Sequence, residues 1–221
     1  MRQSIPARPA KRDDRRPRRD QILEVAARLF VERGFRGTSI DDLGAAVGVS
    51  GPAIYRYFPS KEAVLAALLI GVSKDLVKGA RSLLDRETPT DTLRGLVAFH
   101  VRFALEHPEL ITVQSRDLDC LADPQRAQVR SLQREYIDAW VEAVRRLSPG
   151  IDPLRVLAAV HATFGLINST PHSARLDREE MNSMLQEMSI AALASLDAGE
   201  TSVINAEDDR RYRDDKRASS D

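Results

Sequence analysis

Gly48 and Ser50 stand between two short stretches of helical period and leave the chain only a few residues in which to turn. Before them, Ile40, Leu43 and Val47 recur at the spacing of one helix face; after them, Ile54 and Phe58 do the same. Two helices joined this tightly cannot continue one another and must pack at an angle. A third apolar-periodic stretch, Ile22, Val25, Ala26, Leu29 and Phe30, lies just upstream and supplies a helix for them to pack on. Gly34 is expected to stop that first helix. Thr38 opens the second, with Asp41 as its acidic capping partner. Ser50 is expected to cap the third, which runs to about Phe58. The pattern is a helix-turn-helix with a supporting first helix.

Beyond Pro59 every periodic segment also reads as helix. Ser60 caps one that reaches about Asp85, and Thr90 begins another that stops before Pro108. A shorter helix spans 109–117. Asp123-Pro124 and Asp152-Pro153 each place an acid at the cap and proline in the first turn, starting helices that end near Leu147 and Asn168. Asp177 with Glu180 starts a last helix to about Leu196. No segment alternates with period two, so the fold class is all-α, with three helices in front and six behind.

Charge divides the chain further. The formal net charge is zero, yet Met1–Arg19 carries eight Lys or Arg against two Asp, a net of +6. Asp197–Asp221 carries eight acids against five bases, a net of −3. We read residues 1–16 as a disordered basic arm, open to contact with DNA or simply solvated, and 200–221 as a charged tail. Between them lie a front domain, 17–62, and a second domain, 63–199. No apolar run is long enough to span a membrane, and no apolar stretch follows the basic N-terminus to make a secretory signal. One cysteine, Cys120, permits no internal disulfide and suits a reducing cytoplasm.

The residues of the third helix other than Ile54 and Phe58 need a partner. On a helical wheel Pro52 and Arg56 lie opposite that apolar pair, flanked by Ala53 and Tyr55. Small residues at Gly51 and Ala53 suit entry into a major groove, Pro52 or Ala53 a thymine methyl, and Arg56 a guanine edge or a phosphate. Tyr55 offers a ring to bases or a hydroxyl to phosphate. Thr38, Ser39, Ser50, Tyr57 and Lys61 stand at helix ends and suit phosphate. Read singly, Tyr57 and Lys61 also fit ordinary surface positions, Ser50 a simple cap, and Tyr55 a packing residue.

The stretch "GFRGTSIDDLGAAVGVSGPAIYRYFPSKEAVLAAL" resembles the TetR family of one-component bacterial regulators. The resemblance covers Arg18 to Leu68 and rests on the Thr-Ser opening, the Gly-Val-Ser turn, the Tyr-x-Tyr-Phe segment and the Ser-Lys-Glu start. Gly44 departs from it, since alanine is more usual there, at a cost of about 1 kcal/mol in helix propensity. The resemblance implies an N-terminal three-helix DNA-binding domain and a C-terminal six-helix ligand-binding and dimerisation domain. It implies a homodimer through the last two long helices, 152–168 and 177–196, that represses at a palindromic operator on double-stranded DNA. A small-molecule effector releases it; a lining rich in aromatics and poor in buried charge suits an apolar or amphipathic one, of which a fatty acyl or acyl-CoA type is one candidate. Candidate lining residues are Phe99, His100, Phe103, Tyr136, Trp140, His161 and Phe164, each of which also fits plain core.

The competing reading is a DNA-binding regulator without a small-molecule inducer. An enzyme is disfavoured, because no Ser/His/Asp order, metal-spaced His/Cys cluster or Gly-rich phosphate loop occurs. No catalytic residue, metal ligand or cofactor is therefore assigned, and the expected location is the cytoplasm, at the nucleoid.

Overall fold

The computed structural model describes residues 18–84, 88–173 and 175–196. The basic arm and the charged tail lie outside them. Ten α-helices and one 3-10 turn account for the described elements: α1 Arg18–Gly37, α2 Ile40–Val47, α3 Gly51–Ile54, α4 Lys61–Leu84, α5 Pro89–Glu106, α6 Pro108–Asp117, a 3-10 turn Leu118–Cys120, α7 Asp123–Leu147, α8 Pro153–Ile167, α9 Thr170–Ser173 and α10 Arg178–Ala194. All nine expected helices are present, and the single turn α9 is added. No strand occurs among the described residues, and none of their helices is long and apolar enough to cross a membrane.

Several helix starts are set by caps. Asp152 Oδ1 accepts from Leu154 N–H at 2.7 Å, and Asp177 Oδ1 accepts from the N–H groups of Glu179 and Glu180, both at 2.9 Å. Two expected starts are corrected. Helix α5 begins at Pro89 rather than Thr90, because Thr88 accepts from Asp91 N–H and proline fits the first turn. Helix α2 is opened by Ser39 with Asp42, a complete capping box, and not by Thr38 with Asp41.

The described chain forms two compact units. One comprises the residues up to Lys74 with Glu109–Ser131; the other comprises Asp75–Pro108 with the residues from Leu132. The core of the first gathers Ile22, Ala26 and Phe30 of α1, Leu43 and Val47 of α2, Ile54, Phe58, and Val64, Leu65 and Leu69 of α4. Val113 of α6 and Val129 of α7 enter the same core. In the second unit α5 packs against α8 and α10, and α8 against α10. Its buried residues include Leu96, Val97 and His100 on α5, Tyr136 and Trp140 on α7, Val156 and Val160 on α8, and Met181 and Leu185 on α10.

Candidate nucleic-acid interface

Two glycines shape the turns of the first unit. Gly34, at φ 76° and ψ 159°, interrupts α1 where the sequence places its stop. Gly48, at φ 76° and ψ 34°, ends α2 in the left-handed region, and Val49 N–H then donates to Gly44 O at 2.9 Å. The turn comes so close to α2 that a Cβ on Gly44 would stand 2.8 Å from Gly51 N and 2.9 Å from Val49 O. Gly44 is therefore a packing requirement here, more than a loss of helix propensity.

Helix α3 is one turn long, shorter than the expected run to Phe58. Beyond Ile54 the chain continues in hydrogen-bonded turns, with Tyr57 N–H and Phe58 N–H both donating to Ile54 O. Pro59 disfavours helix at Phe58 and closes the segment. Ile54 and Phe58 point into the core, while Pro52, Tyr55, Arg56 and Tyr57 are exposed, Tyr55 by 55% and Tyr57 by 41%. Ala53 is half-buried beside them. Ser50 occupies the cap position, but its hydroxyl makes no capping bond and stays exposed. The Arg56 guanidinium forms no hydrogen bond or ion pair among the described residues.

Four assigned residues are placed otherwise than the sequence reading expects. Thr38 is buried, and its hydroxyl donates to Leu29 O at 3.2 Å and Gly34 O at 2.9 Å, so it holds the end of α1. Ser39 is exposed, yet its N–H and hydroxyl both donate to Asp42 Oδ2, at 2.8 and 2.6 Å. Hydrogen bonding lowers the Asp42 carboxyl below its ordinary range, chiefly from the Ser39 hydroxyl and then from the Ser39 N–H. Lys61 sends its ammonium to Phe35 O at 2.8 Å and Thr38 O at 2.6 Å, and lies 4.5 Å from the centre of the Phe35 ring. It caps the α1–α2 turn. Gly51 is buried against α2, where a Cβ would come within 1.7 Å of Asp41 Oδ1. Its smallness serves the turn.

Charged residues that the sequence reading does not single out secure the head. Arg18 donates to Val47 O at 3.1 Å, at the C-terminus of α2, and Arg19 lies 4.7 Å from the centre of the Phe58 ring. Arg116 of α6 donates to Phe30 O, and to Val31 O at 3.3 Å, while pairing with Asp117 at 2.9 Å. The Asp117 hydrogen bond raises the Arg116 guanidinium further. Cations facing the carbonyls of a helix end are the only available signal for these roles, and it needs coordinates to be read.

The candidate effector residues separate into three groups. His100, Phe103, Tyr136, Trp140 and Phe164 gather in the second unit, the His100 and Phe164 ring centres being 4.9 Å apart and those of Tyr136 and Trp140 6.3 Å. Phe99 faces a different side of α5, against Gly79, and His161 is exposed on α8. His100 Nε2 lies 3.2 Å from Asn168 Oδ1 and Nδ1 lies 3.1 Å from the Tyr136 hydroxyl. With Nε2–H donating to Asn168, Nδ1 accepts from Tyr136 O–H. Burial lowers His100 to about 4, against the opposing pull of Asn168, so the imidazole is neutral at pH 7. Burial likewise pushes the Tyr136 phenol up, with the nearby Trp140 indole opposing it. That indole N–H lies outside hydrogen-bond geometry, and the buried Nε1 has no partner among the described residues. Among the described residues no group of His, Cys, Asp and Glu is placed to hold a metal.

A three-helix head that hides Ile54 and Phe58 and turns an arginine and two tyrosines outward defines a helix-turn-helix DNA-binding protein. Residues 22–68 match the family model for bacterial regulatory proteins of the tetR family, and residues 86–172 match the tetracyclin repressor-like C-terminal domain. The chain is 32% identical over 177 residues to the transcriptional activator FasR of Mycolicibacterium smegmatis, covering 77% of this chain and 78% of that protein. It is 27% identical over 131 residues to the transcriptional repressor KstR2 of Mycobacterium tuberculosis H37Rv, covering 58% of this chain and 66% of KstR2. The structure of AibR in complex with isovaleryl coenzyme A and operator DNA superposes with a TM-score of 0.66 at 22% identity, over 78% of this chain and 97% of AibR. The chain belongs to the TetR family, whose members are transcriptional regulators and not enzymes.

Proposed function

We propose that this regulator binds a palindromic operator as a homodimer and represses transcription until a small apolar or amphipathic ligand releases it. Residues 17–62 serve as the reading head, and 63–199 hold the effector and the partner. The observation that carries the reading is the split of the α3 segment. Two apolar side chains anchor it, and Pro52, Ala53, Tyr55 and Arg56 are left as the base-reading face. Ser50 and Tyr57 supply phosphate contacts through their exposed hydroxyls. Ser39 stays in this role only where phosphate replaces part of its bond to Asp42. Lys61 and Thr38 act indirectly, by fixing the turn that carries Ser39, and Gly51 by letting the turn close.

One head reads one half-site, so a twofold operator needs two heads. Leu154, Ala158, His161, Ala162 and Gly165 form an exposed stripe on α8, and Met184, Met188 and Ala191 form one on α10. We assign these faces to the partner copy; Met181, Leu185 and Leu193 of α10 are buried within the chain and take no part in the assignment. AibR bound to isovaleryl coenzyme A supports a fatty acyl or acyl-CoA effector, and the aromatic cluster around His100 is its proposed seat. The regulator is accordingly placed in the cytoplasm, on the nucleoid.

The alternative, a regulator without a small-molecule inducer, is favoured by one observation. The five rings of the cluster lie against one another at 4.9 to 6.3 Å, as a packed core does. Fluorescence anisotropy with the palindrome upstream of the gene tests the DNA reading, and addition of acyl-CoA esters tests release. Arg56→Ala and Tyr55→Ala should weaken the palindrome more than random duplex. Equal binding of palindrome and random duplex by the native chain refutes operator recognition. Binding unaffected by any ester selects the inducer-free alternative.

A further inference from the structure

Helix α5 has a second face that its core does not use. Arg94, Gly95, Ala98, Phe99 and Arg102 follow one another at helical spacing along an open groove of about 550 Å³, walled by α4 and by Gln186 and Ile190 of α10. Gly95 and Ala98 keep the floor low. The Phe99 ring lies edge-on against Gly79, so closely that a Cβ there would come within 2.1 Å of Cζ. The ring is half-buried, and the Arg102 guanidinium stands 6.0 Å from its centre.

The arginines are eight residues apart, about 12 Å along the helix axis, one at each end of this floor. Both are exposed, and neither forms an ion pair among the described residues. Among the described residues the only acid lining the groove is Asp91, which accepts from the Thr88 hydroxyl at 2.7 Å. An aromatic floor with two unpaired guanidiniums fits a ligand that is planar in one part and phosphorylated in another.

We propose that this groove is a binding site for a phosphorylated nucleotide-type molecule, with phosphate oxygens on Arg94 and Arg102 and the planar base on Phe99. The site is independent of the effector reading at the His100 cluster, which lies on a different face of α5, so either can fail alone. Neither guanidinium forms a hydrogen bond or ion pair among the described residues, and both are exposed, so Arg→Gln variants leave folding intact.

Isothermal titration of the full chain at low salt, without DNA, tests it with ADP, coenzyme A, inorganic pyrophosphate and adenosine. ADP or coenzyme A should bind with Kd below about 1 mM, and the tighter of the two identifies the source of the nucleotide. Pyrophosphate and adenosine, each lacking half of the recognition, should bind at least about tenfold more weakly. Arg94→Gln with Arg102→Gln should weaken ADP by about tenfold or more, and Phe99→Leu should weaken ADP while leaving pyrophosphate unchanged. The proposal is overturned if neither nucleotide binds below about 1 mM, or if the double variant binds within about twofold of the native chain. Pyrophosphate binding as tightly as ADP overturns it too, since the groove would then be a charge patch without a ring site.

Discussion

The neutral His100 makes the stability of the second unit depend on pH, with a size that can be worked out. Its imidazole titrates near 6.5 ordinarily and at about 4 when folded. Between those values the unfolded chain binds a proton that the folded chain refuses. Stability is therefore full above pH 6.5, is lost as pH falls through the interval, and stops falling below about pH 4. The whole interval corresponds to about 3 kcal/mol, and the part between pH 7 and pH 5 to about 2 kcal/mol. His100 is buried, so solvent screening does not reduce this. Urea unfolding followed by far-UV circular dichroism at pH 7 and pH 5, at one protein concentration, measures the loss. His100→Gln removes the titrating group while keeping a polar side chain, so its own loss should be smaller by about 2 kcal/mol. The other three histidines are common to both proteins and cancel in the comparison. Trp140 is the only tryptophan, and its ring centre lies 5.9 Å from that of His100. Its emission in the folded protein should show no titration near pH 6.5. Equal pH dependence in native and variant chains, or a Trp140 transition near 6.5, refutes the argument.

Lys61→Ala should cost about 2 kcal/mol, because two carbonyls lose a charged donor, and should weaken specific and random DNA alike. Thermal melting with anisotropy on both duplexes checks it; an unchanged melting point with weaker DNA binding would return Lys61 to a phosphate role. Gly44→Ala should destabilise the head by about 1–3 kcal/mol in spite of alanine's better helix propensity, since three backbone atoms stand within 2.9 Å of the new Cβ. A higher melting point would mean the turn shifts freely. Leu154→Asp, at a side chain 74% exposed, should yield monomers in sedimentation at micromolar concentration while leaving the fold intact. An unchanged sedimentation profile removes α8 from the interface.

Periodicity was enough to place every long helix, because apolar faces such as Ile22, Ala26 and Phe30 must be buried whatever they meet. Turn chemistry was legible where one residue type is required, as at Gly34 and Gly48 with positive φ. The face of the α3 segment was legible for the same reason: Ile54 and Phe58 fix its rotation and leave Tyr55 and Arg56 outside. Polar residues at helix ends were not. A threonine or lysine there reads equally well as a phosphate ligand or as a cap, and the choice depends on which carbonyls the turn leaves open. Thr38 and Lys61 both went to the chain's own backbone.

That outcome changes what positions the reading segment. The chain between Phe30 and Thr38 has lost regular helix bonding at Gly34, and its carbonyls are met by side chains from three directions. Thr38 takes Leu29 O and Gly34 O, Lys61 takes Phe35 O and Thr38 O, and Arg116 takes Phe30 O and Val31 O. A carbonyl screened from water and left open costs more than a satisfied bond returns, so the buried bond from Thr38 to Leu29 O restricts the turn most. Helix α2 starts directly from this turn through Ser39, and α3 hangs on α2 through the close approach at Gly44. The exposed tyrosines and Arg56 therefore owe their position to donors that bond the chain's own carbonyls. Substitution at those donors should lower affinity without changing which sequence is preferred, whereas substitution at Tyr55 or Arg56 should change the preference itself.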